Sequence, residues 1–335
     1  MPAISVVMPV YNHQATCGAA LQSLLDQSFR DLEIVAVDDG STDGSRAELE
    51  RVVGDDPRVR ILSIEHAGIV SALRAGLAAA SAPLIARMDA DDWSHPQRLE
   101  KQAAFLEHNP GFGAVDCIVE LGRTQVTGDG MEGYVGWLNS LRTWTEIRDA
   151  LFEESPLVHP AVLMRREALE RAGGYQDDPW PEDYSLWLRM AAAGFCLGKL
   201  AEPLFRWADP PGRLTRTGPR YAPPCHAALK ARFLPVLRPE LARTGCQVWG
   251  MGPTGKAMLA ALQREGISVL RAFDVDPRKI GNRLGGVRIL PLENLPSHRG
   301  PLTLVALGSR PAKAQALDHL SSLGWNPWED FLFVA

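Results

Sequence analysis

Apolar runs and polar breaks alternate along the first hundred residues at the spacing of a layered α/β fold. Ile4 to Val10 is a near-continuous apolar stretch, the pattern of a strand covered on both faces, and Tyr11-Asn12-His13 breaks it. Leu21, Leu24 and Leu25 then recur at i, i+3 and i+4, the mark of one helix face. A second buried strand is predicted over Leu32–Val37, and Ser45-Arg-Ala-Glu48 has the form of a capping box opening a second helix. Val59–Ile64 and Leu84–Met88 read as a third and a fourth strand, with a helix over Ile69–Ala80 between them. Pro96 is expected at the first position of a further helix, which Asn109-Pro110 ends. Strands alternating with helices through short loops predict a parallel sheet in an α/β layer.

Beyond this point the pattern weakens. Residues 123–140 are rich in glycine and read as a surface loop over a site. Arg165–Ala172 reads as a short helix stopped by Gly173-Gly174, and Glu182–Ala193 as another stopped by Gly194. Prolines crowd residues 209–240, the composition of a domain junction. After it the rhythm restarts, with strands at Cys246–Gly250, Ser268–Phe273, Leu302–Leu307 and Phe331–Val334 and a helix over Thr254–Glu265. The expected division is a domain over 1–215, a Pro-rich linker over 216–244 and a smaller α/β domain over 245–335.

Composition narrows the function classes. A net charge of −5 gives no basic field for nucleic acid, and 46% hydrophobic residues suffice for a sizeable core. The 5 cysteines are scattered without CxxC spacing, which argues against a disulfide framework or a zinc site and fits a reducing cytosol. The N-terminus lacks a basic stretch followed by an apolar one, and no apolar run reaches the ~18 residues of a membrane span. A soluble cytoplasmic protein is expected, with a peripheral membrane position and a homo-oligomer left open.

The chemistry concentrates at predicted strand ends, where parallel sheets bind ligands. Pro9-Val10-Tyr11-Asn12 ends the first strand, Asp38-Asp39-Gly40-Ser41-Thr42-Asp43 the second and Asp89-Ala90-Asp91-Asp92 the fourth. Three carboxylates in four residues repel one another unless a cation sits among them. Oxygen ligands suit hard ions such as Mg2+ and Mn2+, which share their coordination with substrate phosphates. The other reading of this cluster is an acidic turn capping the helix near Pro96.

Val6 to Asn12, Val37 to Asp43 and Arg87 to Asp92 resemble, in order and spacing, the signatures of family 2 glycosyltransferases with the GT-A fold. The resemblance continues through Pro96-Gln-Arg98-Leu99-Glu100-Lys-Gln102, His159-Pro160, Gly173-Gly174-Tyr175 and Glu182-Asp183-Tyr184-Ser185-Leu186-Trp187-Leu188-Arg189, covering about residues 4–207. It implies a nucleotide-sugar donor (UDP favoured, dTDP and GDP open), bound Mn2+ or Mg2+, and inverting transfer to a hydroxyl of a saccharide, lipid-linked or protein acceptor. It puts Pro9, Tyr11, Asp38, Asp39, Arg87 and Asp89 around the donor nucleotide, and it makes Asp89 and Asp91 the metal-binding pair, with Asp91 the direct ligand. The alternative for Asp38 and Asp39 is that they organise the Gly40-Ser41 turn. Asp183 occupies the position of the family's catalytic base, where a helix N-terminus would keep it ionised. His159, Glu182, Arg213 and Arg216 are expected near the acceptor or phosphates; the stretch after Arg206 departs from the family pattern, which has a histidine and a serine there.

In the second domain, Gly250-Met-Gly252-Pro-Thr-Gly255 follows a strand and opens a helix, and Asp274 ends the next strand. This resembles small Rossmann-like domains that bind nucleotides, nucleotide sugars or coenzyme A, and would make Gly250, Gly252, Gly255 and Asp274 a second nucleotide site. The overall expectation is an α/β chain: a GT-A type nucleotide-diphospho-sugar transferase domain followed by a small Rossmann-like α/β domain. The competing readings are a nucleotidyltransferase and a non-catalytic nucleotide-binding scaffold.

Overall fold

The computed structural model describes residues 1–122, 129–210, 212–296 and 300–335. The chain divides into two compact units. One comprises Met1–Ile147, Pro156–Asp177 and Arg189–Arg213; the other comprises Arg148–Ser155, Asp178–Leu188 and Leu214–Ala335.

The first unit is built on a sheet that has eight strands among the described residues: β1 (Ile4–Val10), β2 (Leu32–Asp38), β3 (Val59–Ser63), β4 (Leu84–Arg87), β5 (Trp93–Ser94), β6 (Phe112–Leu121), β7 (Leu163–Arg165) and β8 (Cys196–Trp207). They lie in the order β3-β2-β1-β4-β7-β6-β8-β5. The first four run parallel, as the apolar runs predict, but β7 is antiparallel to both β4 and β6, so the sheet is mixed. Helices α1 (Cys17–Leu25), α2 (Ser45–Val53), α3 (Ile69–Ala79) and α4 (Arg98–His108) connect the early strands, followed by α5 (Asp129–Ser140), α6 (Trp144–Ala150) and α7 (Arg166–Arg171); α8 (Glu182–Ala192) begins in the second unit. Every residue of β1 is buried, because the strand is central and covered on both faces. Leu21 and Leu24 of α1 join Val6, Met8 and Ile34 in the main core. On the opposite face α3 packs so closely that a Cβ at Gly76 would collide with the Val7 side chain.

Four local expectations are corrected. Ser45 is the first helical residue of α2 rather than its cap: its hydroxyl is held by Asp43 and receives the His13 N–H, while Glu48 pairs with Arg51. Helix α4 starts at Arg98 behind Gln97, so Pro96 lies in the preceding turn. The expected loop over 123–140 is helix α5 from Asp129 onward, since buried Val135 and Leu138 anchor it despite its glycines; residues 123–128 lie outside the described residues. The expected linker over 216–244 carries α9 (Leu214–Thr217), α10 (Pro223–Leu237) and α11 (Leu241–Thr244). Pro223 and Pro224 occupy the first positions of α10, where the missing N–H costs nothing.

The second unit holds β9 (Cys246–Trp249), α12 (Pro253–Arg264), β10 (Val269–Asp274), β11 (Arg283–Leu284), β12 (Val287–Pro291), β13 (Leu302–Val305), α13 (Arg310–Ser322) and β14 (Phe331–Phe333). Its sheet order is β11-β12-β10-β9-β13-β14, parallel except for β11. Trp249, Phe273, Val305, Leu320 and Phe331 form its core, and α10 packs on α12. No helix among the described residues is long and apolar enough to cross a membrane.

The first unit also encloses an ion pair. Lys199 Nζ on β8 lies 2.6 and 2.5 Å from the Asp116 carboxylate oxygens on β6, both side chains at 0% exposure, and Asp116 also accepts the Val158 N–H at 3.0 Å. Burial pushes the Asp116 carboxyl up, and the Lys199 charge holds it down. Lys199→Met should therefore lower unfolding free energy by about 3–5 kcal/mol in urea titrations at neutral pH. The deficit should shrink as pH falls towards the carboxylate range, because an orphaned Asp116 can then be buried neutral.

Candidate functional site

The loops after β1 and β2 are tied together by side chains. Asn12, at a positive φ of 55°, gives its N–H to Ser41 Oγ at 3.0 Å and accepts the Thr42 N–H at 2.8 Å through its own amide oxygen. An Asn tolerates this left-handed backbone because its side chain bonds locally. Gln14 accepts the Gly44 N–H at 3.0 Å and donates its own N–H to Asp43 at 3.1 Å. The strand ends carrying Pro9, Tyr11, Asp38 and Asp39 are thus held in a single frame.

Within it, Pro9 is buried in β1 and Tyr11 is 40% exposed, its ring stacked on His66 at 3.9 Å and 16°. Asp38 Oδ1 accepts the Ser41 N–H at 3.0 Å, the turn-forming role its sequence allowed. Asp39 is 3% exposed and accepts the N–H groups of Ala67 and Gly68 at 2.9 and 3.0 Å, with the His66 ring 3.0 Å from one oxygen. Asp39 therefore shapes the entry to α3 and holds His66 against Tyr11. His66, which offered no sequence signal, completes a half-exposed aromatic wall beside these acids.

Beyond β4, ligand oxygens of Asp89, Asp91 and Asp92 all lie within 4.8 Å of one another. Arg87, almost wholly buried, forms an ion pair with Asp89. Asp92 is 4% exposed and accepts the Ala208 N–H at 2.7 Å, which ties the acidic turn to the end of β8. Burial and the charges of Asp89 and Asp91 hold its carboxyl well above the usual range. Asp91 is half-buried; removal from water and the Asp89 charge raise its carboxyl, while His13 and Arg213 oppose them. Arg213 lies over the Trp207 ring at 4.2 Å and 3.4 Å from Asp209. Three raised or ion-paired carboxyl groups, all oxygen donors, fit a hard divalent cation, whose charge would relieve their mutual repulsion.

A buried guanidinium supports this turn from behind. Arg98, at 0% exposure, donates to the carbonyls of Arg87 and Pro160 at 3.3 and 3.1 Å and to Ser94 Oγ at 2.8 Å. Burial among these neutral acceptors pulls it down to about 10. Gln102, one turn on, bonds the Val115 and Ala161 carbonyls. Two of these contacts fix the backbone immediately after His159. His159 is 6% exposed and 2.6 Å from the Tyr175 hydroxyl, and burial with the nearby Arg87 charge keeps it neutral.

Asp183 belongs to the second unit. It is half-buried in the first turn of α8, beside buried Glu182. The expectation of a readily ionised carboxylate is reversed: removal from water and the adjacent Glu182 charge push Asp183 up to about 7, outweighing the helix terminus. Glu182 bonds the Tyr221 hydroxyl, and Arg216 is exposed on α9. Trp187 is fully buried in the core.

The glycine loop of the second unit has the close approach its spacing implies. Gly250 has φ 98°, and a Cβ on Gly255 would overlap the Gly250 carbonyl oxygen, so α12 begins directly against the end of β9. Gly252 faces open space. Asp274 accepts from the Met251 N–H at 2.7 Å, the Asp276 N–H at 2.9 Å and Lys279 Nζ at 2.9 Å. Its carboxylate thus braces this loop from within the chain.

The mixed sheet is the fold of GT-A glycosyltransferases, the class to which the chain's structural and sequence relatives belong. The sequence profile of Glycosyl transferase family 2 matches residues 5–173, and the chain belongs to that family. It is 29% identical over 218 residues to an uncharacterized glycosyltransferase of Haemophilus influenzae, across 62% of this chain and 65% of the relative, just under two thirds of that protein's length. It is 30% identical over 213 residues to the putative glycosyltransferase EpsE of Bacillus subtilis, across 61% and 72% of the two chains. The amylovoran biosynthesis glycosyltransferase AmsE of Erwinia amylovora is 30% identical over 209 residues, across 60% and 74%. In fold, the chain is similar to TarS residues 1–349 of S. aureus, solved in complex with UDP-GlcNAc (TM-score 0.57, 16% identity, 79% and 72% of the chains). It is also similar to the mannosyltransferase PcManGT of Pyrobaculum calidifontis, solved with GDP-Man and Mn2+ (TM-score 0.54, 19% identity, 97% and 81%).

Proposed function

We propose that this chain is a metal-dependent, inverting glycosyltransferase that moves a sugar from a nucleoside-diphosphate sugar, UDP favoured, to a hydroxyl acceptor. The acceptor class is a growing saccharide, a lipid-linked glycan or a protein glycan, and the setting is the cytosol, where the free cysteines stay reduced. The observation that carries the reading is the Asp89, Asp91 and Asp92 cluster backed by buried Arg87, in a chain of this family. The donor and metal in the PcManGT structure and the donor in the TarS structure support it.

Asp89 and Asp91 would hold Mn2+ or Mg2+, which when bound offsets charge on the departing diphosphate. Tyr11 and the frame set by Asp38 and Asp39 would receive the nucleoside. Arg213 would add positive charge on the phosphate side, and Arg87 pairs with Asp89. Asp183 is the general base. The acceptor oxygen bonds to the anomeric carbon from the face opposite the leaving group, its proton passes to Asp183, and the anomeric carbon–phosphate oxygen bond breaks with the electron pair leaving on the nucleoside diphosphate.

A base must be ionised to accept that proton. Because Asp183 sits at about 7, kcat at saturating donor and metal should fall as pH drops through 7, approaching tenfold per pH unit below it, and level off above. The test of the whole reading is product analysis after incubation with UDP-sugars and Mn2+. Release of nucleoside diphosphate supports it. Pyrophosphate release would make the chain a nucleotidyltransferase, and binding without turnover a scaffold.

A further inference from the structure

The residues that surround Asp183 come largely from beyond the stretch matched by the family. Pro219–Tyr221 form a 3-10 turn immediately before α10. From it the Tyr221 hydroxyl reaches both oxygens of Glu182, at 2.8 and 3.0 Å, and Arg220 Nη1 lies 3.8 Å from the same carboxylate. Glu182 is 5% exposed. A carboxylate shut away from water keeps its charge only against donors and cations, and Tyr221 and Arg220 supply both. Burial and the charges of Glu182 and Asp183 hold the Tyr221 phenol well above its ordinary range, so it remains a donor wherever the enzyme works.

The other charged groups around Asp183 come from two more segments. His226 on α10 opposes its proton uptake and Glu154 favours it. These two pair at 3.4 Å, so their effects on Asp183 partly cancel. Despite removal from water, His226 and Lys230 bring Glu154 down to about 2. Lys230 itself lies over the Tyr184 ring at 5.9 Å and donates to the Glu153 carbonyl at 2.8 Å. Asp183 itself accepts the Tyr184 N–H at 2.7 Å.

Two adjacent carboxyl groups in a water-poor site do not both ionise freely; the one supplied with hydrogen-bond donors and a cation takes the charge and the other retains the proton. We infer that Tyr221 is a positioning residue for the base: by fixing the negative charge on Glu182, it makes Asp183 the member of the pair that exchanges a proton with the acceptor hydroxyl. This rests on the reading of Asp183 as the base. It gives the segment before α10 a role in setting the pH at which transfer occurs.

The experiment is the pH profile of kcat at saturating donor and Mn2+ for the full chain and for Tyr221→Phe, Glu182→Gln and the double variant. Without the phenol, the donor that fixes negative charge beside Asp183 is gone. Both single variants should therefore move the acid limb downward by about one pH unit, and the double variant no further than Glu182→Gln alone. A limb that stays in place while the plateau falls would reduce Tyr221 to a fold brace, and additive shifts would show it acting elsewhere; either overturns the inference. Should Tyr221→Phe fail to fold, an unmoved limb in Glu182→Gln overturns it equally. Asp183→Asn separates the two levels: if that variant keeps both turnover and the limb, the base assignment itself falls.

Discussion

Asp183→Asn should lower kcat by roughly 10²–10⁴-fold while donor affinity in the presence of Mn2+ changes little. The amide keeps the shape of the carboxyl and can still accept the Tyr184 N–H that Asp183 accepts at 2.7 Å. It cannot take a proton from a hydroxyl. Chemistry is lost and ground-state binding is spared, the signature of an interaction made only in the transition state. Nucleoside-diphosphate release and titration calorimetry with the donor are the two measurements. Unchanged turnover would mean that another group removes the proton. A parallel loss of donor affinity would mean that Asp183 serves binding.

Asp91→Ala carries the second large effect. Donor affinity with Mn2+ should fall at least about tenfold, towards the value measured with EDTA, so that adding the metal no longer helps. Stability should move the other way or not at all. Asp91 is half-buried, and removal from water and the Asp89 charge raise its carboxyl, so deleting it relieves a cost rather than removing a support. A thermal melt run beside the calorimetry distinguishes a ligand residue from a structural one. Lower melting temperature with intact metal response would contradict the assignment.

These two residues stood out in the linear chain for different reasons. Asp91 follows an apolar strand that is buried on both faces, so the strand, its end and the acids beyond it were all visible as a pattern. The same holds for β1 and β2 with Tyr11, Asp38 and Asp39. Asp183 stood out only through its motif, and its proton affinity was misjudged, because a helix terminus is a local feature whereas burial and the company of Glu182, Glu154 and His226 are not.

Other parts of the site had no local signal. Arg98 looks like any helix-opening arginine; only its place beneath the Arg87 and Pro160 carbonyls makes it a support of the acidic turn. His66 follows Glu65 in an unremarkable polar stretch, and its stacking on Tyr11 depends on Asp39 capturing the next two N–H groups. Helix α5 was hidden by glycines, since two buried anchors in one helix face leave a weak periodicity. The prolines of 216–244 suggested an open junction because proline breaks helix interiors, yet at the first turn of α10 it breaks nothing.

The amino-acid sequence alone determined the alternating strands and helices of the first hundred residues, the strand-end acids and the oxygen-rich chemistry they offer. Those properties follow from side-chain period and composition over a few neighbouring positions. The tertiary structure alone decided which carboxyl groups are charged, which are tied to backbone and which retain a proton. Tyr221 meets Glu182 across 39 residues of chain and Ala208 meets Asp92 across 116. Protonation is governed by burial and by partners within a few ångströms, and chain folding brings those partners together with no trace in the local pattern.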